Sequence, residues 1–340
     1  VILTLLPYQH LLMVALLPDA GLNLFWCATL LSFHRSITSG RWLAWGATGV
    51  CVGAAMLAKY HALLLPICLG GYLLTSSTHR HWITRLQPYA SVLIAMVVYS
   101  PNLIWNAENS WVSYLFQLGR AGSSGFGIDN GLAAVGGQLV AWSPPLFGLL
   151  FAVFVVMVRR RPASDSEQFL IWCSLPVFAI FIGIGFFGKI LPHWTSPGWW
   201  CGSLALAVVA IPKVVAAGGE SKLWRRSLLS GAIIGLLMTT TIYIGLYVPV
   251  VEPFYSRIRS VSQRMNAALP AIKPLPPYQS KFDATNDLFG WQQTAEKVQS
   301  VIESMPRPQQ TFIFTHRFFE ASQLAVYLPA DTVVTTLGRR

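Results

Sequence analysis

Asp19 stands in Leu17-Pro18-Asp19-Ala20 between two apolar stretches, at a boundary where a carboxylate is costly unless it is solvated, paired or used. Two readings are open at this position: a helix N-cap, which Asp favours, or a charge kept for chemistry. Lys59-Tyr60-His61 interrupts an otherwise apolar stretch from 42 to 75. A cation beside two aromatic hydrogen-bonding groups can hold a phosphate, and the same residues can simply anchor two helix ends at a membrane surface. Lys189-Ile190-Leu191-Pro192-His193-Trp194 offers a second cation, an imidazole and an indole whose face suits a sugar ring or a cation. Between these segments run Ser100-Pro101-Asn102-Leu103-Ile104-Trp105-Asn106, then Trp111, Phe116, Arg120 and a Gly-rich stretch at 121–127. That stretch reads as a long aromatic loop, able to close over a ligand or to form an interfacial aromatic belt. His193 has no second His at metal spacing, so no metal site is expected.

The elements that position these residues are membrane helices. The chain of 340 residues is 54% hydrophobic and 11% charged, against about 25% charged in an ordinary soluble domain. The formal net charge of +11 does not point to nucleic acid, because Lys and Arg cluster in short connections rather than along one face. The five cysteines lie in or beside apolar runs without metal or CxxC spacing, and read as core packing.

Besides a remnant at 1–17, eight runs are candidate spans: 20–33, 42–58, 62–75, 88–105, 131–158, 168–187, 197–216 and 228–250. Two of them, 20–33 and 62–75, are short and need flanking residues or tilt. Basic residues fall in alternate connections: Arg35 and Arg41; Arg80 and Arg85; Arg159, Arg160 and Arg161; Lys213, Lys222, Arg225 and Arg226. The positive-inside rule makes these connections cytoplasmic. Asp19, Lys59, His61, Asn102, Asn106, Glu108, Arg120, Lys189 and His193 then gather at the opposite, extracytoplasmic face.

Six acidic residues precede residue 251 and seven follow it, so the chain has two parts. Residues 1–250 are expected to form the multi-span domain and 251–281, with Pro270, Pro274, Pro276 and Pro277, an extended connector. Residues 282–340 are expected to form a small extracytoplasmic α/β domain, with helices at 290–304 and 318–328 and strands at 311–314 and 332–336. The chain begins without Met and mid-hydrophobic, and ends just after a strand-like run, so both ends read as cut.

Taken in order, Pro18-Asp19-Ala20, Ala58-Lys59-Tyr60, Ser100-Pro101-Asn102-Leu103-Ile104-Trp105-Asn106 with Trp111 and Phe116-Gln117-Leu118-Gly119-Arg120, and Leu191-Pro192-His193-Trp194 resemble the bacterial protein O-mannosyltransferase-like glycosyltransferases. These belong to the GT-C superfamily, together with the lipid A aminoarabinose transferases. The resemblance covers roughly residues 10–210, and the tail less specifically through Gly290-Trp291 and Tyr327-Leu328-Pro329. It implies an all-α polytopic membrane protein of the bacterial inner membrane, with a GT-C-like helical bundle. Such an enzyme passes a hexosyl or pentosyl group from a polyprenyl-phosphate donor to a lipid, glycan or protein acceptor outside the membrane, with inversion. No cofactor or metal is implied beyond the lipid-linked co-substrate.

The family's main catalytic carboxylate lies upstream of its Pro-Asp-Ala segment, and is expected before residue 1, so the chain as given is expected to be inactive. Asp19 matches the second acidic position, and Lys59 the Lys of a Ser-Lys-Tyr-like segment in which Ala58 replaces Ser. His193 stands where many relatives carry Asn, and Thr195 where they carry Pro. Asp19 is then expected in the catalytic site as a secondary acid that positions the acceptor or the catalytic loop, Lys59, Arg120 and Lys189 at the donor phosphate, Tyr60 in the substrate site, and His193 with Trp194 as a sugar-side wall. A transporter or flippase for a polyprenyl-linked substrate, or a non-catalytic membrane scaffold, are the rival classes. The spans hold almost no ionisable groups, which disfavours the transporter.

Overall fold

The computed structural model describes residues 6–10, 17–121, 125–160, 164–188, 190–215, 219–245, 251–268, 275, 277 and 290–336. It divides into two compact units, Val1–Thr239 and Thr240–Arg340.

The first unit is built from α1 (Asp19–Ser39), α2 (Trp42–Ala58), α3 (Leu64–Thr75), α4 (Leu86–Glu108), α5 (Val112–Ala121), α6 (Ile128–Trp142), α7 (Pro144–Arg159), α8 (Asp165–Gly185), α9 (Ser196–Val215) and most of α10 (Gly219–Gly245). Among the described residues four helical segments are long and apolar enough to cross a membrane: Leu86–Glu108, Asp165–Gly185, Pro192–Val215 and Lys222–Ile244. Four of the eight runs expected from hydropathy meet this measure of length and composition, or five if one bent pair counts as a span. That pair is the run expected as a single helix over 131–158, which bends by 105°. Ser143 sits at φ 65 in front of Pro144-Pro145, and a residue before proline is pushed out of the helical region. Trp42–Ala58 and Tyr60–Thr75 are apolar but shorter.

Helices α1 and α2 form an antiparallel hairpin, and α2 packs in turn on α4. Gly49 and Gly53, one turn apart on α2, make the second contact close. A Cβ at Gly49 would collide with the Ser91 carbonyl of α4, and one at Gly53 would lie 2.6 Å from Cβ of Val98. Small residues at this spacing let helix backbones approach where lipid leaves no hydrophobic drive between helices. Ser91 Oγ donates to the Trp45 carbonyl across the same contact. Two apolar cores result, one around Trp26, Phe33, Trp45 and Tyr72, the other around Trp142, Met157 and Trp199. Of the cysteines, Cys68, Cys173 and Cys201 are buried as expected of packing residues, whereas Cys27 is exposed and Cys51 half-buried.

The stretch expected as a long loop after Ser100 is mostly helical. Pro101 lies inside α4, which continues to Glu108, and α5 follows after a tight turn through Ser110 and Trp111 at φ 54 and 57. The expected extended connector is also corrected in part, because 251–268 forms a helix, α11 (Val251–Ala268). Pro253 falls in its first turn, where no backbone N–H is needed, and the remaining prolines all come after its end.

The rest of the second unit holds α12 (Trp291–Glu303), β1 (Ile313–Thr315), α13 (Phe318–Tyr327) and β2 (Val334–Thr336). The strands pair in parallel, Ile313 with Val334 and Thr315 with Thr336, as a crossover through a helix requires. The expected α/β unit thus amounts to one two-stranded sheet, with Ala295, Leu324 and Leu328 as its buried core.

Candidate functional site

The hairpin brings the first residue of α1 beside the end of α2. Asp19 is 1% exposed, and its two carboxylate oxygens accept from Lys59 Nζ at 2.8 and 2.7 Å. The N-cap reading of Asp19 is overturned: Pro18 occupies the cap, and no side chain caps this helix. Each charge sits at the helix end whose dipole favours it, the carboxylate at the start of α1 and the ammonium just past α2. The Lys59 side chain is 19% exposed, so it reaches from the pair toward solvent while its partner does not.

His193 completes the cluster from a distant part of the chain. It lies in the short helical turn Pro192–Thr195 ahead of α9, with Nε2 4.0 Å from Asp19 Oδ2. That is too long for a hydrogen bond, but close enough for protonation of the ring to be felt by the carboxylate. The Tyr8 hydroxyl donates to the His193 carbonyl at 3.0 Å, and Ser196 Oγ donates to Asn23 Oδ1 at 2.9 Å. Asn23 is one turn beyond Asp19, so α1 grips the start of α9 with the same face that presents the acid.

The turn carrying His193 is held from below by Gln138 of α6, which is fully buried. Its Nε2 donates to the Pro192 carbonyl at 3.2 Å, and its Oε1 accepts from Thr195 Oγ1 at 2.6 Å and from Trp199 Nε1 at 3.0 Å. This gives Thr195 a physical reason: a proline there would carry no hydroxyl for Gln138. Trp194 packs into an aromatic cluster, with ring centroids 5.3 Å from His61 and 6.0 Å from Phe181. Its indole is thereby fixed beside His193, with part of its surface taken up by packing.

Tyr60 faces a neighbouring polar cluster on the other side of Lys59. Its ring lies 5.1 Å from that of Tyr114 on α5, and Asn102 Nδ2 approaches its hydroxyl at 3.5 Å, the limit of hydrogen bonding. Asn106 Nδ2 donates to Asn102 Oδ1 at 3.1 Å, and the Tyr114 hydroxyl donates to the same oxygen at 3.2 Å. The helical extension of α4 past Pro101 therefore puts both asparagines beside Lys59-Tyr60. Lys189 and the side chain of Arg120 lie outside the described residues.

The structure thus assembles Asp19, Lys59 and His193, and sets Tyr60 and Trp194 beside them. Tyr8, Asn23, Gln138 and Ser196 were not singled out from the sequence. For Asn23 a signal existed, since a polar residue four positions after Asp19 must share its face. Gln138 carried none, because one amide in an apolar run does not say which turn it will meet.

Residues 1–105, which include Asp19, Lys59 and Tyr60, match the family model described as dolichyl-phosphate-mannose-protein mannosyltransferase. The chain is also 27% identical over 185 residues to the lipid A galacturonosyltransferase RgtD of Rhizobium johnstonii. That alignment covers 53% of this chain and 38% of the relative, so the chain spans well under half the length of the curated protein it matches. No solved structure matches. Both matches agree with the resemblance to GT-C glycosyltransferases, and the apolar helices agree with a multi-pass membrane protein.

Proposed function

We propose that this chain is part of a bacterial inner-membrane glycosyltransferase that takes a sugar from a polyprenyl-phosphate donor and passes it, with inversion, to a lipid A-like or other envelope acceptor at the extracytoplasmic face. The observation that carries the reading is the convergence of Asp19, Lys59 and His193, from three separate stretches, at one end of the α1–α2 hairpin. Inversion is a single displacement: an acceptor hydroxyl attacks the anomeric carbon on the side opposite the phosphate, a carboxylate takes its proton, and a cation stabilises the departing phosphate.

In this scheme Lys59 is the cation. Asp19 holds its ammonium in place from a buried position and leaves its exposed side toward the phosphate. His193 and Trp194 wall the sugar, and the order of charged connections in the sequence assigns Arg120 and Lys189 to the same side of the membrane. A cavity of about 720 Å³ between α1 and α9, lined by Cys27, Leu31, Trp200, Leu204 and Ile211, begins two turns from Asp19 and suits an isoprenoid chain. The basic connections around Arg80 and Arg159 are cytoplasmic under this topology, and the tail after residue 250 is extracytoplasmic.

The test is transfer from a polyprenyl-phosphate sugar by the full-length parent protein. Asp19→Asn and Lys59→Ala are expected to lose most of their transfer at matched expression and membrane insertion, while Lys222→Ala retains it. Wild-type transfer by Asp19→Asn would remove this cluster from the reaction.

A further inference from the structure

The other end of the same hairpin carries a second polar site, of opposite character. Helix α1 is 21 residues long, so its two ends are about 30 Å apart, roughly one hydrocarbon thickness. At the far end a cavity of about 570 Å³ opens between α1 and α2, lined by Arg35, Thr38, Arg41 and Ala44 toward the turn and by Ala28, Leu31, Ser32 and Ala47 farther from it. Among the described residues no carboxylate lies within ion-pair distance of either guanidinium. The first backbone N–H groups of α2 open on the same corner, adding positive potential.

The backbone that carries the two arginines is rigid. Gly40 closes α1 in the left-handed region at φ 68, its N–H bonded to the Ser36 carbonyl at 2.9 Å. A Cβ there would lie 3.2 Å from the Trp82 ring, and Trp82 Nε1 donates to the Ile37 carbonyl at 3.2 Å. Ser36 Oγ and Thr48 Oγ1, 3.1 Å apart and buried, tie α1 to α2 just behind the turn. Trp42 and Leu43 are exposed at the start of α2, as residues at a membrane interface are.

A ligand for this cavity must be anionic at one end and apolar at the other. A free phosphate would satisfy the guanidiniums and leave the wall of Ala28, Leu31 and Ala47 unused. We infer that the α1–α2 turn binds an anionic phospholipid of the leaflet opposite Asp19, its phosphate between Arg35 and Arg41, its glycerol oxygens at Ser32 and Thr38, and an acyl chain along Ala28, Leu31 and Ala47. Basic pockets between membrane helices on the cytoplasmic side suit such head groups, and the positive-inside rule places this end there.

Phosphatidylglycerol binding to the purified full-length protein in neutral detergent, followed by native mass spectrometry, tests the site. Each of Arg35→Gln and Arg41→Gln is expected to weaken retention about fivefold and the pair about thirtyfold, from roughly 1 kcal/mol per basic residue. Arg85→Gln, an exposed basic residue outside the cavity, should leave it unchanged. Ala47 lines the cavity and is exposed, so Ala47→Phe should fold normally and weaken the lipid by obstructing its tail while both charges remain. Phosphatidylcholine retained as tightly as phosphatidylglycerol, an equal loss in Arg85→Gln, or displacement by glycerol phosphate at the concentration at which the lipid itself competes would each overturn the inference.

Discussion

The two ends of the α1–α2 hairpin handle positive charge in opposite ways. At one end Lys59 is neutralised by a carboxylate that is 1% exposed, and the pair is surrounded by buried polar groups from α1 and α9. At the other, Arg35 and Arg41 lie on an open, partly apolar cavity with no acid in reach among the described residues. A buried charge has to be paired because its desolvation is costly, so the first end is built for fixed geometry. An exposed guanidinium pays little of that cost and remains available to an incoming anion, so the second end is built for capture.

The sharpest way to break this contrast is to remove Lys59. Lys59→Met leaves the buried Asp19 carboxyl without its hydrogen-bonded partner, and is expected to cost about 3–5 kcal/mol in unfolding measured in matched detergent. Asp19→Asn should cost less, about 1–2 kcal/mol, because the 19%-exposed ammonium can extend to water. Equal losses in the two variants would show that the difference in burial is not what governs the pair. The double variant Asp19→Asn with Lys59→Met should recover most of the stability and none of the transfer.

Next in size is Gln138→Leu, which leaves the Trp199 N–H without its buried acceptor and the Thr195 hydroxyl with the Pro192 carbonyl alone. A loss of about 2–3 kcal/mol is expected from chemical unfolding. Transfer should fall further than in Gln138→Glu, which keeps the acceptor oxygen for both donors. A Leu variant with normal transfer would mean that the His193 turn holds its shape without α6.

Between the two ends, Gly53→Ala drives a methyl to within 2.6 Å of Val98 Cβ and should cost about 1–3 kcal/mol by overpacking, read from the same unfolding curves. The smallest effect is expected at the capture end: Arg35→Gln should change stability by less than about 0.5 kcal/mol, because no interaction inside the described protein is lost. A loss comparable to that of Lys59→Met would mean that Arg35 is a structural residue and would erase the contrast.

Hydropathy and charge order are local properties, and the sequence alone determined what depends on them: the apolar helices, the alternation of basic connections, and the helix–strand–helix–strand run from Trp291 to Thr336. Asp19, Lys59, His193 and Trp194 were legible as candidates because polar groups at the edges of apolar runs are conspicuous. The tertiary structure alone decided which of them meet. Asp19 and Lys59 are 40 residues apart and pair only because Gly40 turns α1 back along α2, and His193 joins them only because Gln138, Tyr8 and Asn23 hold the turn before α9 against that hairpin. Hydropathy also reads 131–158 and 251–281 as uniform stretches. The bend at Ser143-Pro144-Pro145 and the helix through Val251–Ala268 depend instead on where each proline falls relative to a helix's first turn, a backbone property that average hydropathy does not contain.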